Sequence, residues 1–178
     1  TSPSNKDIAT ASTIVVEGTA REDVEVVLLV NGASEYKTRP AGDGRFRFEN
    51  VRLDLGFNRG ENVLAVFARD DAGNASEAET GELKLNRAPE LSIIAPKKGD
   101  FARGTTTIAV SARDENNDRV FLDYEVSADG GKNWTRLAEG ALSTRFQWDT
   151  REFSDGRYLA RVLAGDGFAT TSAVSEAF

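Results

Sequence analysis

Asp114, Asn116 and Asp118 stand at alternate positions of one short segment, and oxygen-bearing side chains spaced in this way are what a hard cation such as calcium accepts. The segment departs from the EF-hand at its sixth position, where Arg119 replaces the turn glycine. Asp70, Asp71 and Asn74 make a second acidic turn. The bland reading of both is a polar turn whose side chains cap backbone amides, because Asp and Asn are the ordinary residues of turns. Glycoside hydrolysis takes two carboxylates across a cleft. With 29 acidic residues chance pairs abound, and no spacing marks a pair. Histidine and cysteine are absent, which removes the commonest general base, a thiol nucleophile and the usual zinc ligands. There is no Gly-x-Ser-x-Gly elbow and no phosphate-binding glycine loop. The sequence thus offers no catalytic residue, and calcium is the one cofactor it suggests. Trp134, Trp148, Tyr36 and Tyr124 have rings that can stack on sugars, yet sandwich cores and hairpins use aromatics routinely, and core packing is the expectation.

The elements that must position these residues are strands. Alternation of apolar and polar residues dominates, and long helical periodicity is missing. Strands are expected at Thr13–Ala20, Val24–Asn31, Glu35–Arg39, Arg45–Val51, Asn62–Arg69 and Glu79–Leu85. A further set is expected at Glu90–Ala95, Thr105–Arg113, Arg119–Ala128, Asn133–Ala138, Thr144–Asp149, Arg157–Gly165 and Phe168–Glu176. Val24–Asn31 is apolar on both faces and reads as central, whereas the polar Glu35–Arg39, stopped by Pro40, reads as an edge. Turn signals at intervals of about 8–12 residues indicate antiparallel sandwiches.

The chain also repeats itself. Pro3, Asp7, Ile8 and Ala9 map onto Pro96, Asp100, Phe101 and Ala102, each just ahead of an apolar strand. A period of this size is one small sandwich, so the 178 residues divide into residues 1–87 and 88–178 around the linker Asn86-Arg87-Ala88-Pro89. Glu90–Ala95 precedes Pro96, but almost nothing precedes Pro3, so the first strand of the first module is expected to be missing or truncated. Methionine is absent even at position 1, which reads as a portion of a longer polypeptide.

A formal charge of −7 disfavours nucleic acid as a partner, since that binding draws on a basic surface. No apolar run approaches the ~18 residues that would span a membrane, so direct insertion is not expected.

Several stretches resemble bacterial immunoglobulin-like and fibronectin type III-like modules of secreted and cell-surface proteins. In the first half these are Val16-Glu17-Gly18-Thr19-Ala20, Val27-Leu28-Leu29-Val30-Asn31-Gly32, Asp43-Gly44-Arg45-Phe46-Arg47-Phe48, Gly60-Glu61-Asn62-Val63-Leu64 and Ala68-Arg69-Asp70-Asp71-Ala72-Gly73-Asn74. In the second they are Ser127–Trp134 and Asp155–Val162. Within the former, Ser127, Asp129, Gly131 and Trp134 resemble an Asp-box, in which the carboxylate accepts turn amides and the indole covers the turn. Tyr158 resembles the tyrosine corner of these sandwiches, and Asn62 holds the matching place in the first half.

The resemblance implies an all-β protein of two tandem antiparallel immunoglobulin-like sandwiches and a non-catalytic role outside the cell or at its surface, the periplasm included. Such modules act as spacers or as adhesion and protein-binding units, with other domains of the same polypeptide or a surface protein as partners. The alternative is an accessory carbohydrate-binding module of an extracellular polysaccharide hydrolase. Phe57, Phe101 and Phe168, apolar residues on loops, are the expected points of contact with a neighbouring domain.

Overall fold

Apolar side chains at alternate positions of Arg45–Glu49 put Phe46 and Phe48 on one face, and both are buried while Arg45, Arg47 and Glu49 are exposed; the period shifts at Asn50, at φ +56°, so that Val51 turns inward. The same two-residue period organises the whole chain. In the computed structural model, which describes residues 7–178, fourteen strands carry the fold and helix is confined to two short 3-10 turns. Pro3 and the other residues ahead of Asp7 lie outside the described residues, and with them the proposed truncation of the first strand.

The chain divides into two compact units, residues 1–86 and 87–178. Arg87 goes with the second unit, where its N–H donates to Asn116 Oδ1 at 2.9 Å.

The first unit contains β1 (Asp7–Ala9), β2 (Thr13–Thr19), β3 (Glu25–Val30), β4 (Ser34–Thr38), β5 (Arg45–Arg52), β6 (Glu61–Arg69) and β7 (Glu79–Leu85). One sheet has the order β1-β7-β6-β3-β4 and the other pairs β2 with β5. Between them lie Val16, Val26, Leu28, Phe46, Phe48, Val51, Leu64, Leu83 and Leu85. As the alternation suggested, β3 is flanked on both sides and β4 is the edge. β1 runs parallel to β7, with Asp7 opposite Leu83 and Ala9 opposite Leu85. Gly18 stands directly opposite Phe46 in the β2–β5 pair, and the ring lies so close over it that a Cβ would sit 2.4 Å from the nearest ring carbon.

The second unit contains β8 (Glu90–Ala95), β9 (Thr105–Arg113), β10 (Phe121–Ser127), β11 (Thr135–Ala141), β12 (Arg145–Asp149), β13 (Leu159–Gly165) and β14 (Thr170–Val174). Its sheets have the orders β11-β10-β13-β14 and β12-β9-β8. Ile108, Val110, Leu122, Tyr124, Val126, Trp148, Ala160 and Val162 fill the space between them. β9 thus has two partners, where β2 in the first unit has one among the described residues. Both units are two-sheet β-sandwiches, each with its own core.

Candidate functional site

Tight turns force a choice on every Asp they contain: its carboxylate must collect backbone amides or stay in water. Three turns here make that choice differently. In the first, Asp70 Oδ1 accepts the Asn74 N–H and Oδ2 accepts Asn74 Nδ2, both at 2.8 Å. The Asn74 side-chain amide, then its backbone N–H, lower the Asp70 pKa. Asp71 takes the Arg39 guanidinium at 3.1 Å. This acidic turn is exposed, and the carboxylate oxygens of Asp70 are both engaged.

The second turn, Ser127–Trp134, repeats the scheme. Asp129 Oδ1 accepts the N–H groups of Lys132 and Asn133 at 3.0 and 2.9 Å, and Oδ2 accepts Asn133 Nδ2 at 2.6 Å. Ser127 Oγ donates to Asp129 Oδ1 and receives the Gly131 N–H. These bonds, led by the Asn133 N–H, hold the Asp129 pKa down to about 2. Gly131 sits at φ +89°, where a side chain would be strained. Trp134 donates from Nε1 to the Gly131 carbonyl at 3.0 Å, and the Arg161 guanidinium lies 4.2 Å from its ring centroid. The indole is therefore half-buried under a cation and tied to its own turn, which leaves little of it for a sugar to stack on.

Arg161 is aimed by Glu125, whose Oε2 accepts its Nε at 2.7 Å, and Arg136 approaches the same carboxylate at 3.8 Å. Glu125 is the twelfth residue counting from Asp114, where an EF-hand places its bidentate ligand. Here it points out of β10 to Arg161 and Arg136 and is not part of the Asp114 turn. Its actual partners are set by register, which places it opposite both Arg136 and Arg161.

The third turn holds the calcium candidates. Asp114 Oδ1 accepts the Asp118 N–H at 2.9 Å, and the Asp114 carbonyl accepts the Asn117 N–H. Asp114 and Asn116 are buried, at 6% and 1% exposure. Asn116 uses its side-chain oxygen to receive the Arg87 N–H, so it anchors the segment entering β8. Among the described residues no three Asp or Glu side chains converge on a common point that would hold a metal.

Tyr158 and Asn62 do matching work in the two units. The Tyr158 hydroxyl donates to the Ser154 carbonyl at 2.9 Å. Asn62 is fully buried; its Nδ2 donates to the carbonyls of Asp54 and Gly60, and its Oδ1 accepts the Asp54 N–H and Asn31 Nδ2. Each side chain thereby pins the loop that crosses from one sheet to the other.

Tyr36 and Tyr124 are also occupied: the Tyr36 oxygen accepts the Arg52 N–H, and the Tyr124 hydroxyl donates to the Ser143 carbonyl. Trp148 is buried against Phe153, Tyr158 and Phe178 in edge-on packing. It borders a cleft of about 780 Å³ at the end of the second unit, with Phe101 almost fully exposed at the rim. Phe57 and Phe168 are partly exposed on their loops. No helix is long and apolar enough to cross a membrane among the described residues.

No protein-family model matches the chain. It is 29% identical over 169 residues to Bacillopeptidase F of Bacillus subtilis, covering 93% of this chain and only about a tenth of that protein's length. Among solved structures it is similar to the fibronectin(III)-like modules of Clostridium thermocellum CbhA, at 17% identity and a TM-score of 0.43 over 98% of this chain and 89% of that one. It is likewise similar to a two-domain fibronectin type III segment of chicken tenascin, at 12% identity and a TM-score of 0.44 over 98% of both chains.

Proposed function

We propose that the chain is a non-catalytic pair of immunoglobulin-like modules within a larger bacterial secreted or surface protein, serving as a spacer or a protein-interaction unit. The observation that carries the reading is the direction of the chain through each unit. In the first, the first and last strands are parallel neighbours, so the chain enters at one end of the sandwich and leaves at the other. In the second, the segment entering β8 is tied to Asn116, whereas the chain leaves beside the loop that follows β8, where Lys98 meets Glu176 and Phe178 pairs with Tyr158. A unit that the chain enters at one end and leaves at the other separates the segment before it from the segment after it. Tension on the first unit loads its β1–β7 hydrogen bonds along the strands, so they must break together rather than one at a time. The match to a short stretch of a far longer Bacillus protein supports a module in a larger polypeptide.

Single-molecule pulling tests the reading. Two separate unfolding events are expected, each releasing on the order of 300 Å of chain at ~3.5 Å per residue. One event releasing the whole chain overturns it. The carbohydrate-binding alternative has the aromatic cleft around Trp148 as its best location. Failure of the intact chain to retain any ligand on a glycan array would remove that alternative.

A further inference from the structure

The three acidic turns share a layout in which an Asp accepts the backbone N–H of the residue four positions on. In two of them that residue is an asparagine, and its side-chain amide donates to the second carboxylate oxygen: Asn74 to Asp70, Asn133 to Asp129. In the third the residue is Asp118. A carboxylate stands where the other turns carry a donor. The consequence is visible at Asp114: it is 94% buried, and its Oδ2 is enclosed with no hydrogen-bond partner. No lysine or arginine pairs with it among the described residues. A buried carboxylate oxygen without a donor is costly, and a positive charge is the usual remedy.

We propose that the Asp114–Asp118 turn binds a calcium ion, held by the Asp114 and Asp118 carboxylates and completed by backbone carbonyls and water. The donors are all oxygen, which selects a hard cation over zinc or copper. Calcium tolerates six to eight irregular oxygen ligands, whereas magnesium demands a near-octahedral set. Two carboxylates with neutral oxygens suit a weak site of the extracellular kind, with a dissociation constant of about 0.1–1 mM. Asn116 is a positioning residue here: by holding the Arg87 N–H it links the ion to the segment that enters β8. The proposal stands on the second unit's own geometry and does not depend on the mechanical reading.

Both tryptophans, Trp134 and Trp148, lie in the second unit, so their fluorescence reports that unit alone. In the full chain, 10 mM calcium should raise the fluorescence-detected Tm by on the order of 5 °C over EDTA, with a smaller rise in magnesium. Amide exchange at Arg87 should slow in parallel. Asp118→Asn restores the amide donor of the other two turns. It should fold in EDTA and lose the calcium response. A parent Tm indifferent to calcium overturns the proposal, as does an Asp118→Asn variant that keeps the full shift.

Discussion

Replacing Asn62 by alanine should strongly destabilise one half of this chain and leave the other unchanged. Asn62 is fully buried and spends its amide on four hydrogen bonds, to Asn31, to both backbone groups of Asp54 and to the Gly60 carbonyl. Its removal strands two donors and two carbonyls. At about 1 kcal/mol for each bond lost, the cost is about 4 kcal/mol. A module of this size has a total stability of about 5–10 kcal/mol and shifts its Tm by about 4–8 °C per kcal/mol, so the expected fall is on the order of 20 °C.

The assay exploits an asymmetry of composition. The first unit contains no tryptophan, while the second contains both. Calorimetry of Asn62→Ala should show one transition moved down, while fluorescence excited at the tryptophans melts where it did before. If the fluorescence midpoint falls together with the calorimetric one, the two units unfold as a single cooperative body and the reasoning from separate cores fails.

The remaining expectations concern single contacts. Gly18→Ala pushes a methyl group into the Phe46 ring, 2.4 Å from the nearest carbon, and should destabilise the first unit by about 1–3 kcal/mol in chemical denaturation. A parent-like midpoint would mean the ring moves aside freely. Tyr158→Phe loses the bond to the Ser154 carbonyl and should cost the second unit about 1 kcal/mol by tryptophan-detected denaturation, with no change in the first. Asp129 and Asp149 are each held down to about 2 from an ordinary 3.8, the former chiefly by the Asn133 N–H and the latter by the Arg151 side chain. Their folded pKa values lie below the unfolded ones, so the stability they contribute is complete above pH 3.8 and fades as pH falls toward 2. The second unit's Tm should therefore drop through that window, and Asp129→Asn should flatten the drop; an unaltered slope would show that the turn's bonds do not distinguish the charged form.

Much of the architecture was legible because strands write themselves into sequence with a period of two. The alternation at Arg45–Glu49 fixes which side of β5 faces inward, and Pro40 closes β4 because it has no N–H to give. The strand boundaries drift by one to three residues where caps and turns, not side-chain faces, decide them: Arg119–Ala128 became Phe121–Ser127, since Arg119 and Val120 still belong to the crossover from the other sheet. The parallel pairing of β1 with β7 was invisible, because Asp7–Ala9 is three residues long and carries no periodicity of its own.

What the sequence hides is partnership. Glu125 looks like any exposed glutamate until register sets Arg136 and Arg161 opposite it. Trp134 reads as the cover of its own turn, and the sequence does not show the Arg161 guanidinium that β13 places over its ring. The Asp118 turn is the reverse case. Its oddity is local and could be read from one line of text, but only beside its two siblings: Asp-x-x-x-Asn closes on itself twice, and Asp-x-x-x-Asp does not. A turn that satisfies its own carboxylate is complete as a piece of architecture and has no reason to recruit anything. A turn that buries a carboxylate oxygen and then withholds the donor has transferred the problem to its surroundings, and a cation answers the negative charge as well as the missing bond. A titration with calcium, set against one with magnesium, tests that answer in a single sample.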